Sequence, residues 1–263
     1  MLVALALSTA AHAGPRVVSL DQCADQYVLA LASRADIAGL SYRAVDADSY
    51  LGSQARGLPI RRASLESVLA ARPDVVVRYW GGDELLARRL QAHGAKVVKI
   101  DDANDFAGVR TDVRRVAAAL GRAAQGEALI GRMDGELTAA RGAWGGRRAL
   151  YLTPGGFTAG QATLVGAMMA AAGLRNAAAS PDYAPVSLEQ LVIDPPDGFV
   201  IGFFDPASSR TQHWSISRRG VLGKITAGRT LAALPGALLG CPAWFAADAA
   251  RELAAAAAAR RRP

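Results

Sequence analysis

One unit occurs twice in this chain and limits its fold more than any other feature. Ser64-Leu65-Glu66 runs through Val68-Leu69 to Pro73-Asp74 and the apolar stretch Val75-Val76-Val77. Ser187-Leu188-Glu189 runs through Leu191-Val192 to Pro196-Asp197 and Phe199-Val200-Ile201. In each copy the glutamate stands seven residues ahead of the proline, and the copies lie 123 residues apart. Each reads as a short helix opened by a serine N-cap, stopped at Pro-Asp and followed by a buried strand. One copy would need no more explanation than a helix start whose early carboxylate complements the dipole. Two copies with the same internal spacing predict two similar α/β lobes, with Glu66 and Glu189 at equivalent places.

A chain of 263 residues, 51% hydrophobic and 20% charged, buries enough core for one large domain or two such lobes. The net charge of +7 is spread along the sequence without the basic-aromatic interleaving of nucleic-acid modules, so no nucleic-acid partner is expected. Met1 to Leu7 form a short apolar run ending in Ala11-His12-Ala13, an A-x-A cleavage site without a basic stretch before it. Residues 1–13 are thus expected to be a signal peptide cut after Ala13, with no cysteine there for a lipid anchor. No later segment approaches the unbroken apolar length that spans a bilayer. The mature protein is expected to be exported, soluble and periplasmic. In that compartment Cys23 and Cys241 are free to pair, but the expectation from sequence is that each is buried as a small apolar side chain.

Read in order, Arg16 to Leu20 is a strand and Asp21 or Gln22 opens a helix with Tyr27, Val28 and Leu31 on its apolar face. Ile37 to Leu40 is a second strand, and 41–59 is a loop carrying Tyr42 and Tyr50. After the first repeat come a helix over 83–93 and a strand over 96–100. Strands alternating with helices at this spacing predict a mainly parallel sheet covered on both faces. A helical connection follows. Its apolar stripe from Phe106 is interrupted at Gly121 and weakened by Gly126, Gly131 and Gly135. The expected division is therefore a lobe over 14–120, a linking helix over 121–143 and a second lobe over 144–263. The fold class is α/β: two similar three-layer lobes with a ligand cleft between them.

No catalytic set stands out. The two histidines beyond the signal, His93 and His213, lie far apart; His93 reads as a helix C-terminal residue. Zinc-ligand spacing, H-E-x-x-H and G-x-S-x-G are missing, so neither an enzyme nor a resident metal or cofactor is expected. The glycine-rich turn 154–160 fits no nucleotide-binding spacing. Aromatic residues instead gather where strands end: Tyr42, Tyr79, Trp80, Phe157, Tyr183 and Trp244. Ligands of open α/β sheets bind beyond the carboxyl ends of strands. Two lobes face to face would form a cleft with ring-lined walls, suited to a large, flat, partly apolar ligand. Some of these rings are expected to belong to the lobe cores instead.

In this order, several motifs together resemble a known family. They are Arg16-Val17-Val18-Ser19-Leu20 with Cys23-Ala24-Asp25-Gln26, the two S-L-E…P-D units, and Gly155-Gly156-Phe157-Thr158-Ala159-Gly160. Ala172-Gly173-Leu174-Arg175-Asn176, Tyr183-Ala184-Pro185 and Cys241-Pro242 complete the series. The chain looks like the periplasmic substrate-binding proteins of ABC importers for ferric siderophores, haem and cobalamin, whose two lobes are joined by a helix. The resemblance implies a monomeric carrier that hands a metal chelate to a permease dimer with its ATPase. It also implies that Glu66 and Glu189 dock on permease arginines. Cobalamin or a ferric siderophore is the expected ligand, with haem third. The aromatic wall points to a corrinoid, while Arg210, His213, Arg218 and Arg219, in a loop the family does not explain, point to an anionic ferric chelate. Two rival readings are an exported enzyme acting on a metal chelate and a ligand-sensing partner of a membrane receptor.

Overall fold

The computed structural model describes residues 14–203 and 222–261. The expected signal peptide at 1–13 and the loop with Arg210, His213, Arg218 and Arg219 lie outside the described residues. No helix among the described residues is long and apolar enough to cross a membrane.

The first lobe is a five-stranded parallel sheet in the order β3-β2-β1-β4-β5. Its strands are β1 (Val17–Ser19), β2 (Ile37–Ser41), β3 (Ile60–Arg61), β4 (Val75–Tyr79) and β5 (Lys96–Ile100). The period of two along the valine-rich strands decides which helices cover which face. Val17, Val75 and Val77 share a core with α1 (Gln22–Leu31) and α4 (Phe106–Ala119). Val18 and Val76 face α2 (Leu65–Leu69) and α3 (Glu84–Ala92). This is the expected three-layer lobe.

The second lobe repeats the plan on a sheet ordered β11-β10-β6-β8, again parallel. Here β6 is Arg148–Leu152, β8 Arg175–Asn176, β10 Gly198–Gly202 and β11 Thr230–Leu234. Leu150, Leu152 and Phe199 pack toward Leu191 of α7 (Leu188–Ile193), while Tyr151 and Val200 join the larger core with Met168 of α6 (Leu164–Ala171). The turn 154–160, read from sequence as a plain glycine-rich turn, also contains β7 (Phe157–Ala159). That strand pairs antiparallel with β9 (Tyr183–Pro185).

The repeated Pro-Asp performs the same task in both lobes. Asp74 accepts a hydrogen bond from the Arg16 amide at 2.8 Å and returns its own amide to the Arg16 carbonyl at 2.8 Å. Asp197 does the same with Arg148, at 2.9 and 3.0 Å. The guanidinium of Arg16 reaches back to the Ala71 carbonyl, and that of Arg148 to the Asp194 carboxylate and the Pro195 carbonyl. Each unit thus fixes the start of an inner strand of its own sheet, β1 or β6.

Between the lobes, α4 stops where sequence places the break. Gly121 adopts φ +67, and the Gly121 and Arg122 amides turn back to the Ala118 and Ala117 carbonyls, a Schellman closure. Helix α5 (Ala123–Ala140) then packs against both α4 and the C-terminal helix Ala246–Arg260. One continuous apolar cluster runs from Val17 in the first lobe to Leu253 in that last helix.

The cysteines correct an expectation. Cys23 and Cys241 are not separate buried thiols but a disulfide. It joins the first turn of α1 to the segment just before the C-terminal helix, so it crosses between lobes. Folding brings together residues 218 apart in sequence, which no local pattern announces.

Candidate ligand cleft

Parallel strands send all their carboxyl ends to one edge of each sheet, and the first lobe secures that edge with buried polar groups. Asp25, wholly buried, accepts hydrogen bonds from the Ser19 hydroxyl at the end of β1 and from the amide (2.9 Å) and hydroxyl (2.6 Å) of Ser41 at the end of β2. Burial pushes its carboxyl up to about 6 despite the hydrogen bonds from Ser19 and Ser41. One turn earlier, Asp21 caps α1 through the Ala24 amide at 2.9 Å and receives the Tyr79 amide at 2.7 Å. Gln26 holds the following loop by accepting from the Leu51 amide at 2.7 Å and donating to Ser49 at 2.9 Å. The run Cys23-Ala24-Asp25-Gln26 is therefore the bracket of the sheet edge.

Arg78, a buried residue of β4, shapes the next piece. Its guanidinium donates to the carbonyls of Trp80 at 2.9 Å and Gly82 at 3.0 Å and pairs with Glu84, whose carboxyl it holds below the usual range. Tyr79 and Trp80 are thereby fixed from both sides. Their rings stand edge to face, with centroids 6.2 Å apart. The Tyr79 hydroxyl donates to Asp102, just past β5. Burial, then this acceptor, raises the Tyr79 hydroxyl well above the ordinary tyrosine range.

On the second lobe the ribbon β7–β9 carries Phe157 and Tyr183. It lies tight against the neighbouring loop: a Cβ on Gly160 would fall 2.1 Å from the Ser180 carbonyl. Asn176 pins the ribbon by donating to the Ala159 carbonyl at 2.9 Å. Between the lobes is a cavity of about 150 Å³. Tyr79, Asp102 and Asn104 line it from the first lobe, and Met168, Tyr183 and Cys241 from the second.

The structure sorts the ring residues named from sequence. Tyr79 and Tyr183 line the cavity itself. Trp80, Phe157 and Tyr42 lie outside it but are open to solvent at 52, 48 and 70% exposure, Tyr42 and Trp80 just past the ends of β2 and β4 and Phe157 at the first residue of β7. Trp244 does not belong with them. It is 2% exposed, in the core, edge to face with Tyr27 and with Phe245. The reading of Trp244 as a wall of the cleft is corrected accordingly: a ring near a last strand can turn inward as readily as outward, and here α1 supplies the inner partner.

Glu66 and Glu189 both occupy the first turn of their helices, behind serines whose hydroxyls accept the Ser67 and Gln190 amides at 3.4 and 3.2 Å. Both are exposed. His93 ends α3, its Nδ1 donating to the Arg89 carbonyl at 2.8 Å. Among the described residues no group of three or more His, Cys, Asp or Glu is placed to hold a metal ion. Sequence reading overlooked Arg78, Asp102 and Asn104. The only available signal was their position beside the ends of β4 and β5.

Residues 17–203 match the model of a family described as periplasmic binding protein. No curated protein matches this sequence. Among solved structures, the periplasmic heme-binding protein BhuT in complex with two hemes is 25% identical, with a TM-score of 0.69 over 92% of this chain and 99% of its own. The heme-binding protein RhuT from Roseiflexus sp. RS-1 is 24% identical, with a TM-score of 0.72 over 92% and 97% of the two chains. The vitamin B12 binding protein BtuF of Vibrio cholerae is 15% identical, with a TM-score of 0.62 over 95% and 99%. The last two likenesses speak for the fold alone.

Proposed function

We propose, on the premise that this chain belongs to the periplasmic binding protein family, that it captures a metal chelate between its lobes and hands it unchanged to an ABC importer. The observation that carries the reading is the set of exposed rings, Tyr42 and Trp80 past the ends of β2 and β4 and Phe157 and Tyr183 on the β7–β9 ribbon, on two lobes that face each other across a cavity. Surface rings of this size are costly to leave in water unless a ligand covers them. Metal tetrapyrroles and aromatic ferric chelates offer the flat apolar area to do so. The solved relative BhuT, which holds two hemes, favours the same class.

Delivery is assigned to Glu66 and Glu189. They are equivalent by repeat and exposed, and no described ion pair engages them, so they are free to meet arginines of a two-fold symmetric permease. The carrier acts as a monomer in the periplasm after loss of residues 1–13.

Titration of the purified mature protein with cyanocobalamin, hemin and ferric siderophores, followed by visible absorbance, tests capture. One-to-one spectral change with the ligand recovered intact is expected, and turnover of the chelate would overturn the reading in favour of an enzyme. The double variant Glu66→Ala, Glu189→Ala is expected to abolish transport into vesicles carrying the importer while ligand affinity stays within about twofold of the parent, as befits exposed charges outside the pocket. A large loss of affinity in that variant would move the two glutamates into the binding site.

A further inference from the structure

We infer that the cavity between the lobes selects a chelate whose inserted edge carries hydrogen-bond donors and no carboxylates. An amide-fringed corrinoid is then accepted, and an acid-fringed haem or ferric citrate is refused. The inference rests on the carrier reading above and narrows its ligand class.

Its basis is a single uncompensated charge. Among the described residues lining the cavity, Asp102 is the one charged side chain, set beside the phenols of Tyr79 and Tyr183 and the amide of Asn104. The basic groups that flank this stretch among the described residues are committed elsewhere. Lys99 and Arg115 both pair with Asp101, at 3.0 and 2.8 Å. Arg78, one residue before Tyr79, is turned to Glu84 and to the carbonyls of Trp80 and Gly82. Asp102 itself receives the Tyr79 hydroxyl and is exposed.

A carboxylate offers about four acceptor positions, so one phenol leaves most of them open to a ligand. The Tyr79 hydroxyl, its proton committed to Asp102, presents only lone pairs to the cavity. This wall is therefore rich in acceptors and negative. A side-chain amide N–H entering here forms a charge-assisted bond with Asp102. A ligand carboxylate meets like charge, and among the described lining residues there is no cation to bridge it. The rest of the cavity adds apolar surface from Leu164, Val165 and Met168, which accepts a ring edge without regard to charge.

The mature protein is titrated with cyanocobalamin, with hemin, and with cobalamin whose side-chain amides have been partly hydrolysed to acids. Cyanocobalamin is expected to bind at least about tenfold more tightly than either acid-bearing ligand, the size of one charge-assisted hydrogen bond. Asp102→Asn is expected to weaken cyanocobalamin and strengthen hemin, closing most of that gap, whereas Asp102→Glu retains the preference. Because Asp102 is exposed, both variants are expected to melt within a degree or two of the parent, as surface substitutions do. Equal or tighter binding of hemin by the parent, or an unchanged ratio in Asp102→Asn, would overturn the inference. Binding of a ferric siderophore but of none of these three would also overturn the inference. Failure of the parent to bind these three and ferric siderophores alike would instead overturn the carrier reading beneath it, a result distinguishable from the first.

Discussion

Asp25 shows how one side chain can serve the site and burden the fold. Its carboxylate gathers Ser19 and Ser41, and so fixes the ends of β1 and β2 where the cleft begins. Yet burial, the largest influence on it, raises its carboxyl from 3.8 to about 6, so the folded state holds this proton more strongly than the unfolded chain does. Asp112 stands likewise at about 6, again chiefly through burial, with Oδ1 on the Asp101 amide and Arg115 and Oδ2 without a partner. The sign follows: stability from these groups is complete below about pH 4 and falls as pH rises to 6, where both become ionised inside the protein. Glu84 and Asp101 are shifted the other way by Arg78 and by Lys99 with Arg115, and their contribution is lost only in more acidic solution. In denaturant unfolding at pH 4.5 and 7.5, Asp25→Asn is expected to lose less stability on going up in pH than the parent does. The difference should be on the order of 2 kcal/mol, from a shift of that size. Parallel behaviour of the two proteins would show that Asp25 is hydrated in the fold.

Helix α5 makes the corresponding point for elements. Sequence reads Gly126, Gly131 and Gly135 alike, as three weak places in one helix, and the fold separates them. A Cβ on Gly126 would come 2.6 Å from Cβ of Ala117, so this glycine allows α4 and α5 to touch, whereas Gly131 and Gly135 face open space. Gly131→Ala and Gly135→Ala are expected to stabilise the protein by about 0.5–1 kcal/mol each. Gly126→Ala should destabilise it, since close packing across the α4–α5 contact leaves no room for a methyl group. Thermal unfolding of the three variants decides it, and a gain at Gly126 would mean that the helices shift apart without cost. The same contrast explains what was legible beforehand. The helices and the longer strands were readable because their apolar period is local, and the two repeated units because their spacing is. Strands β3, β7, β8 and β9, of two or three residues each, take their identity from distant partners, as Phe157 does from Pro185. Asp102 carries no sequence signal beyond its place after β5, since its role comes from Tyr79 reaching it across the sheet edge. Trp244 reads as a cleft ring in sequence because Tyr27, its partner in the core, is distant in the chain.

At the scale of the molecule, the two lobes are less independent than a helix-linked pair need be. The disulfide Cys23–Cys241 ties α1 to the second lobe, and beside it the buried Tyr27 hydroxyl donates to the Pro242 carbonyl at 2.7 Å. Tyr50 stacks on Phe245 with centroids 4.3 Å apart and donates its hydroxyl to Asp248. These ties lie on the side of the C-terminal helix. Cys241 and Pro242 also line the cavity, so the fastening is the floor of the cleft itself. Lobes joined along their floor can flex at the rim but not swing apart, and ligand binding should change the radius of gyration little. In the double variant Cys23→Ser, Cys241→Ser, loss of the cross-link is expected to cost roughly 2–5 kcal/mol of stability by releasing the unfolded chain. The hydrogen bonds and ring contacts that remain should still hold the lobes together in the folded state, but less firmly. Solution scattering with and without cyanocobalamin separates the possibilities. The parent is expected to show no resolvable compaction and the serine variant a measurable one. A large ligand-induced compaction in the parent would mean that the floor is a hinge, and that the bridge guides closure instead of preventing it.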